Sequence, residues 1–299
     1  MALSLRPITP AFGVEVLDVD LAQPLSDALL DEILEAYYRH SLLLFRGQSL
    51  TPERQSEITQ SFGTAKKASK IRHAMEDLPI ISRIGNIKEN GQPTAFLNRQ
   101  GVEWHSDGAG APENDIATFL YAVETPDVGG DTMFCSMHVA YDTLPPDLLA
   151  KIEGRRVTHD FLQHNDKVLR LSPGAFTPMT EEERARIQPH VCDLVQTHPV
   201  TGRKLYFISH NLVREISGLT PEETEALTWA LVDHATVPER VHHHQWRVGD
   251  LTIWDNRALM HSATAVVYDH SRRLMHRSSA QTHPERWMAR RGTAIGAKA

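Results

Sequence analysis

A chain of 299 residues, 41% hydrophobic and 23% charged, has the composition of a soluble globular protein and is long enough for one large domain or two small ones; we read one. The formal net charge of −7 and a pI near 6.2 exclude bulk attraction to nucleic acid or to an anionic membrane, so anion binding has to come from a local cluster. Two cysteines, Cys135 and Cys192, exclude a disulfide framework, and with no long apolar N-terminal core and no run of roughly 18 apolar residues the expectation is a cytoplasmic protein without a membrane span.

In chain order, Ser26 to Arg39 has the period of an amphipathic helix, capped by Ser26 and presenting Leu29, Leu30, Ile33, Leu34 and Tyr37 on one side. Leu42 to Phe45 is a short buried strand closed by Arg46-Gly47, and Thr51-Pro52 opens a second helix that ends near Phe62-Gly63. From Trp104 onward strand signals dominate: Thr118 to Val123, Thr132 to Cys135, Val191 to Thr197, Lys204 to Ile208, Val241 to Trp246, Leu251 to Trp254 and Arg273 to Ser279. Thr201-Gly202 reads as a hairpin turn, and Pro126 to Gly130 and Val248 to Asp250 as loops. Helices interrupt at Pro146 to Glu153 and behind the capping boxes Thr180 to Glu183 and Thr220 to Glu223. The fold class is thus mainly β with flanking helices (α+β), and many short strands with helices outside them indicate a double-sheet jelly roll whose mouth can hold a metal.

Glu103-Trp104-His105-Ser106-Asp107, together with His261 after Ile253-Trp254-Asp255-Asn256, supplies two imidazoles and one carboxylate. On an octahedral ferrous ion that set leaves three adjacent positions open, enough for a bidentate cosubstrate and dioxygen, and so suggests an oxygen-activating enzyme. With 17 histidines and 18 aspartates, a His-x-Asp pair is expected about once by chance, so context must select. On an extended segment residues i and i+2 project from one face about 6 to 7 Å apart, and Trp104 suits such a segment. His164-Asn165-Asp166, among polar residues, reads as a structural turn, and His283-Pro284-Glu285 is a looser variant. His242-His243-His244 cannot converge on one ion from a strand, because successive side chains alternate faces. If the strands flanking His261 pair about a turn near Val267, His261 lies opposite Arg273 and a cation stands beside the metal.

Arg273 and Arg277 share one face of a strand, about 13 Å apart along the backbone. A guanidinium fork suits carboxylate or sulfonate, so two arginines suggest two anions. Lys66, Lys67 and Lys70 either add charge to the same pocket or are solvated, and we place Lys70 with the substrate site.

The assembly of Leu43 to Gln48, Trp104 to Asp107, Gly129 to Thr132, Trp254 to Asn256 with His261, and Arg273 to Arg277 resembles the taurine/dichlorophenoxyacetate dioxygenase family of Fe(II)- and 2-oxoglutarate-dependent oxygenases, from about Pro7 to Ala280. The resemblance implies a double-stranded β-helix over 1–299, with a core at about 7–280 and a basic tail at 281–299. It implies that His105, Asp107 and His261 hold iron, that Thr132 and Arg273 bind the distal carboxylate of 2-oxoglutarate, and that Arg277 grips an anionic substrate. The expected reaction is hydroxylation with O2, releasing succinate and CO2. Gly130 to Pro146 looks closest to the aryloxyalkanoate branch, which favours a carboxylate substrate and C–O cleavage. A taurine, alkylsulfonate or alkyl-sulfate dioxygenase is the alternative. A zinc hydrolase and a noncatalytic small-acid-binding module are the readings from other classes, and helices with apolar faces leave a homodimer or homotetramer open.

Overall fold

The computed structural model describes residues 3–67, 74–89, 92–95, 102–111, 116–171, 178–265 and 271–291. The helix Asp27–His40 begins where Ser26 accepts a hydrogen bond from the Leu29 N–H, and Pro52–Phe62 begins with Thr51 accepting from Arg54. Both capping boxes form, Thr180 with Glu183 and Thr220 with Glu223, and the second heads the helix Pro221–Ala235.

Two mainly antiparallel sheets organise the site. The larger runs in the order Ser4–Pro7, Val14–Leu17, Leu42–Phe45, Leu251–Asp255, Ile116–Glu124, Leu274–Thr282 and Gly63–Ala65, with Ser82–Gly85 also pairing Leu274–Thr282. Among the described residues its one parallel ladder joins Val14–Leu17 to Leu42–Phe45. The smaller runs Val241–His244, Thr132–Ser136, Leu259–Ala263 and Val102–His105.

Alternation along Ile116–Glu124 divides the core. Phe119 and Tyr121 join the layer under the two N-terminal helices, with Ile33, Tyr37, Ile58, Phe62, Phe45 and Ile253. Leu120 and Ala122 face the other way, into a layer with Trp254 and Met275 of the larger sheet and Phe134 and Leu259 of the smaller. Fully burying one such aromatic side chain contributes roughly 1.5–3 kcal/mol, so this layer holds the sheets face to face. Both faces of the central strands are covered, so Leu42–Phe45 and Leu251–Asp255 are buried from end to end, and the first reads as an unbroken apolar run.

Three expectations need correction. The strands Leu251–Asp255 and Leu274–Thr282 do not pair: Ile116–Glu124 lies between them. His261 therefore is not opposite Arg273. A turn at Asp255 to Ala258, closed by the Ala258 N–H to the Asp255 carbonyl, sends the chain into the smaller sheet, where Leu259–Ala263 forms its own strand. Val191 to Thr197 is two strands in different sheets, His190–Asp193 and Val195–Thr197. His164-Asn165-Asp166 lies inside the helix Phe161–Leu171 rather than in a turn, with Asp160 accepting from the first-turn N–H groups of Leu162 and Gln163. Asp166 there pairs with Arg184, so the segment remains structural.

Beyond Thr282, the helix Pro284–Arg291 brings Trp287 into the core, its ring 5.1 Å from that of Tyr38. Among the described residues, no helix is long and apolar enough to cross a membrane.

Candidate active site

His105 and His261 are directly opposed across the ladder between Val102–His105 and Leu259–Ala263, with ring centroids 4.1 Å apart. Asp107 is not on that strand. The strand ends at His105, and Asp107 opens a turn whose Gly108, at φ 78°, takes a left-handed conformation that a side chain disfavours. Ser106 pins the crossing point, donating its hydroxyl to the Leu259 carbonyl at 3.0 Å. The carboxylate returns toward the imidazoles: Asp107 Oδ1 is 3.9 Å from His105 Nε2, and Oδ2 is 3.9 Å from His261 Nε2.

Among the described residues these three are the only group of His, Cys, Asp and Glu whose ligand atoms all lie within 4.8 Å of one another. Their protonation suits a cation. His105 Nδ1 lies 2.8 Å from the Glu103 carbonyl, an acceptor, so Nδ1 is the nitrogen that donates and Nε2 is the one turned toward Asp107. Burial first, and the neighbouring His105 second, push His261 well below its ordinary value, so it is a neutral imidazole. Burial pushes Asp107 up, but the Arg277 guanidinium and then the two imidazoles outweigh it and hold the carboxyl well below the usual range. Two imidazole nitrogens and one ionised carboxylate fit a divalent transition metal.

Arg277 donates from Nη2 to Asp107 Oδ2 at 2.6 Å. It shares a face of Leu274–Thr282 with Met275, which packs between the sheets. Arg273, 7% exposed, reaches across the gap and donates from Nη2 to the Gly130 carbonyl at 3.3 Å, two residues before Thr132. Thr132 is buried in the smaller sheet and accepts the Trp246 indole N–H at 3.1 Å. The backbone of Arg273 is fixed by Asn86, whose Oδ1 accepts the Arg273 N–H at 2.8 Å and whose own N–H donates to the Arg273 carbonyl at 3.1 Å. So six of the candidate residues sit at the gap between the sheets in two groups, the triad with Arg277, and Thr132 near Arg273. Lys70 lies outside the described residues.

The triple histidine alternates as its strand requires: His243 is exposed, while His244 is buried with Nε2 3.1 Å from Asp250, which also receives Arg46 at 2.7 Å. It shapes the scaffold. Sequence reasoning gave no role to Thr118, Asn256, Asn86 or Trp246, all of which bond to the candidate residues. The signal existed for Thr118, the single hydroxyl in the apolar run Ile116 to Val123 apart from a tyrosine, because a buried hydroxyl requires a partner. Asn86 carried no such signal: its partner is 187 positions away.

Comparison with known proteins shows the family of the chain. The profile of the family described as "Taurine catabolism dioxygenase TauD, TfdA family" matches residues 4–279. The alpha-ketoglutarate-dependent 2,4-dichlorophenoxyacetate dioxygenase of Cupriavidus pinatubonensis is 33% identical over 270 residues, covering 87% of this chain and 92% of that protein. The (S)-phenoxypropionate/alpha-ketoglutarate-dioxygenase of Sphingobium herbicidovorans is 31% identical over 269 residues, covering 88% and 90%. The crystal structure of a taurine dioxygenase from Burkholderia xenovorans superposes with a TM-score of 0.76 at 27% identity, covering 95% of this chain and 90% of that one.

Proposed function

Because the chain belongs to the taurine catabolism dioxygenase TauD, TfdA family, we propose that it hydroxylates a small anionic organic substrate, an aryloxyalkanoate-type carboxylate in preference to others. It is an Fe(II)- and 2-oxoglutarate-dependent dioxygenase using O2. When bound, Fe(II) supplies the oxidising chemistry, coupling decarboxylation of 2-oxoglutarate, with release of succinate and CO2, to hydroxylation. His105 and His261, through their Nε2 atoms, and Asp107 hold the ion. Thr132 and Arg273 bind the distal carboxylate of 2-oxoglutarate, with the Trp246 N–H on the Thr132 oxygen leaving the Thr132 proton to donate. Gly130, whose carbonyl Arg273 holds at 3.3 Å, marks the mouth of that subsite.

The observation that carries the substrate class is Arg277, whose guanidinium lies 2.6 Å from the Asp107 carboxylate, on the strand that Arg273 immediately precedes. A fork-shaped donor there would hold an anionic head group beside the three residues that would hold the metal. Hydroxylation of a carbon bearing an ether oxygen gives a hemiacetal, and its collapse breaks the C–O bond. A sulfonate or sulfate ester fits the same arginine; the likeness to a taurine dioxygenase favours this second reading, and the higher identity to the two aryloxy enzymes favours the first. In this reading the facing sheets are a double-stranded β-helix (jelly roll), residues 1–299 are one dioxygenase domain, and the enzyme is a cytoplasmic homo-oligomer with no part for nucleic acid or membrane.

Succinate release measured over a panel of aryloxyalkanoates, alkylsulfonates and sulfate esters tests the proposal. We expect aryloxyalkanoates to give the fastest substrate-dependent release, and His105→Ala and Asp107→Ala to abolish it. Full turnover by iron-free Asp107→Ala protein defeats the mechanism, and preference for a sulfonate replaces the first reading by the second.

A further inference from the structure

Asn256 makes all four hydrogen bonds open to a side-chain amide. Its Oδ1 accepts the Asp107 backbone N–H at 3.0 Å and the Trp254 indole N–H at 2.9 Å. Its Nδ2 donates to the Ile116 carbonyl and to the Thr118 hydroxyl, both at 2.9 Å. Asp107 N–H and the indole only donate, and the Ile116 carbonyl only accepts, so the partners allow one orientation of the amide and forbid the flipped one. Asn256 and Thr118 are both 0% exposed, so no water competes for these bonds.

The consequence reaches the carboxylate. Thr118 Oγ1 already receives the Asn256 N–H, so its own proton is directed to Asp107 Oδ2, 2.8 Å away. Arg277 Nη2 donates to that same oxygen. Two donors satisfy the lone pairs of Oδ2 and leave Oδ1, the oxygen nearer His105 Nε2, with its acceptor capacity open.

The geometry points to Asn256 and Thr118 as positioning residues for the metal-binding carboxylate: Asn256 orients the Thr118 hydroxyl and the Asp107 backbone together, so that Asp107 offers Oδ1 to the ion. This rests on the metal-site reading above. Neither residue touches the reacting atoms. They act by freezing a rotor that otherwise must be ordered when the metal binds, and outer partners of this kind typically account for about 10- to 100-fold in metal affinity.

The test is anaerobic titration of the full-length protein with Co(II), read by its ligand-field absorption, for wild type, Thr118→Val and Thr118→Ser. Thr118→Val keeps the branched shape without the hydroxyl, and Thr118→Ser keeps the hydroxyl. We expect Thr118→Val to weaken Co(II) binding about 10- to 100-fold with an altered absorption envelope, and Thr118→Ser to stay within about threefold of wild type. Asn256→Asp, which loses both donations, is expected to weaken binding as Thr118→Val does; should it fail to fold, the Thr118 pair still decides. Wild-type affinity and spectrum in Thr118→Val overturn the inference, and so does an equal loss in Thr118→Ser, which assigns the effect to packing. No Co(II) binding by wild type removes the metal-site reading and this inference with it.

Discussion

Gly85→Ala adds one methyl group to the strand Ser82–Gly85, opposite Leu274. Gly85 stands at φ 153°, and a Cβ there lies 1.8 Å from the Arg273 carbonyl oxygen and 2.7 Å from its carbon. Ordinary contact between such atoms is about 3.5 Å, so the strands have to part by roughly 1.5 Å at the residue that carries the guanidinium. The neighbouring Asn86 bonds to the Arg273 backbone move with them. Forced overpacking of this kind costs about 1–3 kcal/mol in stability. A 1 Å misplacement of a binding group costs on the order of 100-fold, so the KM for 2-oxoglutarate should rise about 10- to 100-fold while Co(II) affinity holds, the triad being on the other sheet. Initial-rate measurements with varied 2-oxoglutarate, beside a urea unfolding curve, give both numbers. Gly202→Ala is the control, because no atom lies within 4 Å of a Cβ there and its φ of 68° imposes only local strain in a remote hairpin. A Gly85→Ala protein with unchanged 2-oxoglutarate KM refutes the assignment of Arg273.

Arg277→Met removes a charge-assisted grip worth about 1.5–3 kcal/mol, so the KM for the anionic prime substrate should rise about 10- to 100-fold while substrate-independent turnover of 2-oxoglutarate continues; an unchanged KM takes Arg277 out of the substrate site. Acid should destabilise the fold. Burial pushes His138 and His276 down to about 4 and His159 down to about 3, with smaller lowering from His198, Arg83 and His190 respectively. Below about pH 6.5 the unfolded chain binds protons at these sites that the folded chain does not, so stability present above that pH is lost as pH falls toward 4. At pH 5 each of the three sites contributes about 2 kcal/mol of loss, and the urea midpoint should be much lower at pH 5 than at pH 7. A midpoint that holds or rises at pH 5 contradicts the burial of these imidazoles in neutral form.

Much of this site was legible because its chemistry is carried by residue types that chance rarely brings together in order. The His-x-Asp pair could be singled out, and the paired arginines on one strand could be read as two anion grips. The fold was legible where one physical signal acted alone, as at the caps of Ser26, Thr51 and Thr220. It was not legible where chain direction depends on long-range packing. Nothing local in Leu251 to His261 reveals that the Trp254 strand and the His261 strand belong to different sheets; that follows from burying Trp254 against Phe134 across the gap. The helix Phe161–Leu171 was hidden because Asn165 and Asp166 carry turn chemistry, which packing overrides. The supporting bonds of Asn86 and Asn256 span 187 and 149 positions and leave no periodic trace.

The triad rides on the smaller sheet and the turn beside it, whereas Arg277 rides on a strand of the larger one and Arg273 stands immediately before that strand. In the proposed reading, reactivity and selectivity are therefore inherited on separate pieces of chain. A lineage can drift along the Leu274–Thr282 ladder, exchanging one head group for another, without disturbing the imidazoles that make the oxidation possible. The strut from Arg277 to Asp107 is where such drift is felt, which gives descendants of this fold a narrow point of compromise between what they seize and how well they burn it.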